Sequence, residues 1–226
     1  MASKQAAVDK RRVILDAAVR VFAREGFHAC RVSDIANEAG VAYGLVYHYF
    51  KSKDQVLDTL FLERWDILLE AIRHTDSLEI PADEKLHAIA GFIIDSYRHD
   101  PDLMKVIIVE VTRAANSFGA VHIGKIGEAY ALIRGVVEKA QQSGEFKDTI
   151  PAEFAVMAFY GAIEQVLTGW IFGLLEENER EYDQSQVAHR STVSRLPRRG
   201  PCTFQGPTLK FLRSGQSWSP VRQECR

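Results

Sequence analysis

One short stretch, residues 33–50 (SDIANEAGVAYGLVYHYF), limits what this chain can fold into more than any other. Ser33 suits an N-cap, its hydroxyl accepting from a backbone N–H that the first helical turn leaves free. Ile35, Ala36 and Ala39 then give a short helix one apolar stripe. Gly40 follows where a left-handed backbone is needed to end a helix. Val41 is placed to plug the gap between two steeply crossing helices, the second running from about Ala42 to Tyr49. This is the pattern of a helix-turn-helix, whose second helix enters the DNA major groove. An ordinary αα-hairpin would satisfy the same turn.

The flanks separate these alternatives. A basic amphipathic helix precedes the turn, beginning near Asp9, with Val13/Ile14, Ala17/Ala18 and Val21/Phe22 on one face and Gly26 closing it. Lys10, Arg11 and Arg12 sit at its start, the end where the helix dipole disfavours cations, so phosphate is one candidate reason for them and a solvated face the other. After the turn, Ser52 and Gln55 form an S-x-x-Q capping box that opens a long helix to about His74.

Three segments together, AxxxFAxxGF (Ala18, Phe22, Ala23, Gly26, Phe27), SDIANEAGV, and YxYFxSKDxxL from Tyr47 to Leu57, resemble the DNA-binding domain of the TetR family of bacterial repressors. The resemblance covers residues 10–60. It implies an all-α chain of about nine helices: a three-helix DNA-binding domain over residues 1–51, then a helical ligand-binding and dimerisation domain over 52–182.

Charge divides the chain in the same places. Residues 1–53 hold 9 Lys/Arg against 5 Asp/Glu, residues 54–182 hold 11 against 23, and residues 183–226 hold 8 against 2. A basic module on an acidic body suits a phosphate-bearing partner at one end only. The last segment is rich in Ser, Arg, Pro and Gly without periodicity and reads as a disordered tail. Cys30, Cys202 and Cys225 are too scattered for a disulfide framework or a metal site, and the polar N-terminus carries no signal-peptide pattern, so the expected setting is cytoplasmic. Residues 154–175 approach membrane-spanning length, yet Glu164 and Gln165 interrupt them; a buried interface helix is the expected reading, with no membrane.

The remaining segments read as helices over 82–98, 101–116 (Asp100-Pro101 as cap and N1), 118–143 and about 151–178. No strand pattern competes. No catalytic motif, clustered Cys/His pair or cofactor signature appears, so the expectation is a non-enzyme without cofactor or metal.

For DNA contact, the opening of the second helix supplies Ala42, Tyr43, Gly44 and Leu45. Tyr43 is the best base reader, Ala42 and Leu45 suit thymine methyls, and Gly44 permits close approach of the backbone. The resemblance implies phosphate contacts by Tyr47, His48 and Lys53, with Arg31 and Ser33 meeting the other strand. Tyr49 and Phe50 should pack inward. One recognition helix covers few base pairs, so a homodimer on a palindromic operator in double-stranded DNA is expected. The resemblance places the dimer surface on the last two long helices, where GAIEQVLTGWIFG (161–173) offers glycines for close approach and Trp170 and Phe172 as anchors.

The resemblance further implies a small-molecule effector held among the middle helices. The candidate lining is Phe92, Ile93, Tyr97, Met104, Ile107, Ile108, Val111, Phe159, Ile163 and Val166, with Arg113 (or Arg98) for effector phosphates. Past residue 60 the segments VEVTRAANS, QQSGEFKD and GAIEQVLTGW are similar to the FadR-like branch, repressors of fatty-acid degradation released by long-chain acyl-CoA. A TetR-like repressor of efflux genes answering to drugs stays open at this point, as do a helical interaction module and an enzyme carrying a DNA-binding head.

Overall fold

The computed structural model describes residues 2–110 and 120–175. Among these, every regular element is helical: α1 (Ala2–Glu25), α2 (Val32–Ala39), α3 (Tyr43–Tyr49), α4 (Lys53–Asp76), α5 (Ala82–His99), α6 (Pro101–Lys105) running into a π-helical turn (Val106–Glu110), α7 (Ala120–Gln142) and α8 (Ala152–Ile171). The all-α expectation is met with eight α-helices. Helix α1 begins earlier than Asp9, and the helix expected over 101–116 changes to π winding at Val106. The tail over 183–226, Val111 and Arg113 lie outside the described residues.

Contacts divide the chain into two compact units, residues 1–67 with 96–126, and residues 68–95 with 127–226. In the first, Ile14, Leu15, Ala18, Val21 and Phe22 of α1 pack with Ile35 and Ala36 of α2, Val46 of α3, and Val56, Leu57 and Leu60 of α4. Burying each large aliphatic or aromatic side chain there stabilises by roughly 1.5–3 kcal/mol. The core also takes Val106, with Leu103 packed against it, so α6 is a structural part of this unit. Asp100 fixes the start of α6, accepting from the Leu103 amide (2.9 Å), as the Asp-Pro pair predicts. The cap of α4 also forms: the Gln55 amide donates to Ser52 Oγ (3.2 Å), while the Gln55 side chain accepts from the Lys51 amide (2.6 Å).

In the second unit, Leu69 and Ile72 of α4, Leu86, Ile89 and Ile94 of α5, Ile133, Val136 and Val137 of α7, and Phe159, Ile163 and Leu167 of α8 form the core. Asp76 at the end of α4 lies between Lys139 (2.8 Å) and Lys85 (3.5 Å). Glu145 caps α5 by accepting from the Ala82 amide (2.5 Å). Helix α8 is long and apolar enough, by length and composition alone, to cross a membrane. Here its inner side builds this core, while Phe154 (63%) and Met157 (60%) stand exposed on the other side.

Of the three glycines expected to admit a second helix, Gly161 has open space around it while the other two have a use inside the chain. A Cβ on Gly169 would lie 2.6 Å from Leu175 Cδ1, and Gly173 has φ 64° where the helix turns off. Both serve the chain's own helix end, where Leu175 folds back onto Gly169, so neither is by itself evidence for a second helix approaching. Trp170 is buried and Phe172 exposed.

Candidate nucleic-acid interface

The cap of helix α2 lies two residues before the serine expected to fill it. Arg31 is the N-cap, and its own amide donates to Asp34 Oδ2 (2.7 Å). Ser33 therefore lies inside the first turn, its hydroxyl on Asp34 Oδ1 (3.4 Å). The carboxylate three residues past the cap ties down the chain entering the helix and sits at its positive end, so the serine is not needed there. At the other end Gly40 adopts φ 63°, ψ 35°, and the Val41 amide reaches Ala36 O (3.0 Å), the Schellman closure. Val41 then packs against the head core.

Helix α3 is anchored by Val46, which is 1% exposed, and ended by Phe50, also buried, with Tyr49 packed against the same core. The opposite side stands open: Ala42, Tyr43 (53%), Gly44, Tyr47 (44%) and His48 are all exposed, and Leu45 is half-buried. A seven-residue helix with one buried anchor leaves most of its surface for a partner. Tyr43 and Tyr47, one turn apart, meet edge to face with ring centroids 5.1 Å apart and hydroxyls hydrogen-bonded at 3.2 Å. That hydrogen bond holds the Tyr43 phenol above its ordinary pKa, so it stays protonated at neutral pH. A Cβ on Gly44 would meet nothing within 4 Å. Glycine costs such a helix about 1 kcal/mol relative to alanine, and nothing within the chain requires it.

The charged groups around this face are mostly engaged inside the head. Arg11 donates to Glu63 (2.7 Å) and lies over the Phe50 ring, and Arg12 pairs with Asp16 (2.9 Å). Phosphate is thus not required to explain either arginine. Arg20 (2.7 Å) and Arg24 (3.3 Å) both hold Glu38, joining α1 to α2. The Arg20 hydrogen bond keeps the Glu38 carboxyl below its ordinary range.

Lys53 is the clearest departure from the expected arrangement. Its ammonium donates to the carbonyls of Phe27 (2.6 Å), His28 (3.2 Å) and Cys30 (3.0 Å), and lies 4.7 Å from the centre of the Phe27 ring. Three N–H donors match three carbonyls, so Lys53 closes the loop between α1 and α2. Cys30, inside that loop, donates its thiol to Phe27 O (3.3 Å), and burial pushes the thiol's pKa up. Sequence reasoning also passed over Lys105 of α6, which donates to Ala23 O in the last turn of α1 (2.7 Å). Lys105 thus places a cation at the carbonyl end of α1, and Lys53 holds the loop that follows it. A basic residue in a motif gives no sign of whether it faces a carbonyl or a phosphate.

The candidate effector residues divide between the units. Tyr97, Met104 and Ile107 are buried in the first, with Ile108 half-buried on the π-helical turn. Phe92, Ile93, Phe159 and Ile163 are buried in the second, with Val166 half-buried. Among the described residues no group of His, Cys, Asp and Glu side chains is arranged to hold a metal ion.

Comparison with known proteins bears on both units. Residues 14–60 match the family model of bacterial regulatory proteins of the tetR family, and residues 61–193 match that of the C-terminal region of YsiA-like proteins. The fatty acid metabolism regulator protein of Bacillus subtilis is 32% identical over 171 residues, covering 75% of this chain and 85% of that one. Among solved structures, the transcriptional regulator FadR from Bacillus subtilis in complex with stearoyl-CoA superposes with a TM-score of 0.67 at 28% identity, covering 81% and 98%. The fatty acid degradation regulator FadR from Bacillus halodurans gives 0.69 at 27% identity, covering 84% and 97%.

Proposed function

This chain belongs to the TetR family of bacterial transcriptional regulators, and from that premise we propose that it is a homodimeric repressor of fatty-acid metabolism genes, released from a palindromic operator by long-chain acyl-CoA. The observation that carries the reading is the double similarity to fatty-acid regulators, one of them bound to stearoyl-CoA, over both the head and the body. The exposed face of α3 is the part that reads bases. Such a helix spans only a few base pairs, and two related by a dyad supply the rest. The exposed apolar residues of α8, Phe154 and Met157, support a face for the second copy. The effector candidates other than Arg113 or Arg98 are all aliphatic or aromatic, which suits the acyl chain of such an effector.

An effector acts only through a difference in its affinity for the two states of the regulator. Acyl-CoA would bind more tightly to the dimer whose heads are wrongly spaced for the operator. The test starts from an operator recovered by selection from randomised duplexes, which should be palindromic. Titrating the complex with acyl-CoAs of increasing length, stearoyl-CoA among them, should release the DNA with the long chains and leave it bound with the short ones. Release by no acyl-CoA eliminates this effector class, and recovery of no preferred sequence eliminates the reader.

A further inference from the structure

The Tyr43–Tyr47 pair holds information about which DNA groups this head can read. Each phenol has one proton and oxygen lone pairs that accept. The two hydroxyls lie 3.2 Å apart, so one donates to the other, and the edge-to-face ring contact at 5.1 Å holds both in place. Both rings are exposed on the face of α3 that has no partner among the described residues. The pair therefore presents outward a single free proton, on whichever tyrosine accepts the internal bond.

The reading of Tyr47 as a phosphate contact decides which tyrosine that is, and this inference rests on it. Phosphate oxygens only accept. Tyr47 can hold one only if its own proton points outward, so its oxygen must accept the proton of Tyr43. Tyr43 is then left with lone pairs alone. In the major groove the donors available to a lone pair are the N6 amino group of adenine and the N4 amino group of cytosine; N7, O6 and O4 all accept.

We propose that Tyr43 is a specificity-determining residue that accepts a hydrogen bond from an adenine or cytosine amino group, with its own proton engaged by Tyr47. Tyr43 thus also positions the Tyr47 hydroxyl toward the phosphate.

The experiment uses the full-length protein, Tyr43→Phe and Tyr47→Phe on the selected duplex, carrying single-base analogues across each half-site. Both phenylalanine variants keep the ring contact, and circular dichroism melts confirm that they fold. Removing one exocyclic amino group (purine for adenine, 2-pyrimidinone for cytosine) should weaken the wild-type protein about tenfold at one position per half-site. The same change should leave Tyr43→Phe unaffected. Replacing N7 by carbon should not distinguish the two proteins. If instead the N7 replacement separates them, or no amino deletion does, the assignment is overturned. A separate scan with single methylphosphonates tests the phosphate contact. Wild type and Tyr43→Phe should respond at one phosphate where Tyr47→Phe does not, with Tyr43→Phe responding less. Equal responses by wild type and Tyr47→Phe at every phosphate would end the reading of Tyr47, and with it the argument that Tyr43 is the internal donor, while the amino-group arm still judges what Tyr43 accepts.

Discussion

The exposed face of α3 and the exposed face of α8 differ in what they leave uncovered. On α3 it is two phenols, a histidine and a glycine backbone, groups that hydrogen-bond or admit close approach. On α8 it is Phe154 and Met157, which water disfavours, together with Glu153 and Gln165, and none of these offers a cation to a phosphate. Each helix buries apolar side chains in its own unit's core, Val46 alone on α3 and a row including Val156, Phe159, Ile163 and Leu167 on α8. The outer sides therefore carry the difference: a hydrogen-bonding, aromatic surface suits a duplex, and one with two large exposed apolar side chains suits a second protein surface.

The comparison is most sharply tested on α8. Replacing Phe154 and Met157 together by glutamate should leave the helical spectrum in place, because both side chains are exposed. It should yield a monomer in sedimentation and weaken operator binding by about 10²–10⁴-fold, the contribution of tethering two heads together. A dimer of unchanged affinity would show that this face is not where copies meet.

Lys53 tests the inside of the head against its DNA surface. Its three carbonyl contacts predict that Lys53→Met lowers head stability by about 2 kcal/mol, the range for hydrogen bonds to a charged group, seen as a lower denaturant midpoint. DNA binding should then fall only in line with the folded fraction. A variant of unchanged stability whose salt dependence lost one phosphate contact would return Lys53 to the DNA surface.

A smaller effect is expected at Gly44, where a Cβ has open space within the chain. Gly44→Ala should stabilise the head by up to about 1 kcal/mol. It should weaken operator binding about tenfold, since overfilling a packed contact costs roughly 1–3 kcal/mol. Tighter or equal binding would mean that the backbone does not approach the groove there.

The smallest effect belongs to α8. Burial pushes the Glu164 carboxyl above its ordinary pKa, and Tyr130, whose phenol is raised by burial, faces it. A carboxyl raised on folding is tolerated best when protonated. Its contribution to stability is fully present below the unfolded value of about 4.3 and lost as pH rises through the folded value. Glu164→Gln should therefore raise the melting temperature at neutral pH, with the gain vanishing in acid. A gain independent of pH would point to packing in place of charge.

Much of the fold was legible because its signals are local. Helical spacing of apolar residues, Asp100 before Pro101, Gly40 after Ala39 and the Ser52–Gln55 pair each concern neighbours within a turn or two, and all appear in the structure. The capping of α2 was missed because Ser33 and Asp34 are both plausible partners for the turn, and only the backbone geometry at Arg31 chose between them. The exposure of Tyr43, Gly44, Tyr47 and His48 on α3 was legible in the sequence, and the work of individual cations was less so.

By itself, then, the sequence determined an all-helical chain with a short second helix that turns Tyr49 and Phe50 inward and offers Tyr43, Gly44, Tyr47 and His48 to a partner; that Val46 is its anchor came from the structure. Periodicity decides which side of a helix avoids water, and a side of exposed polar and aromatic groups follows from it. Only the tertiary structure decided what long side chains do with their charge. Lys53 reaches back 26 residues to Phe27 and Lys105 reaches back 82 to Ala23. Arg11 crosses 52 residues to Glu63. A flexible side chain can reach many acceptors, and which one it meets depends on how distant helix ends are brought together, something no local pattern records.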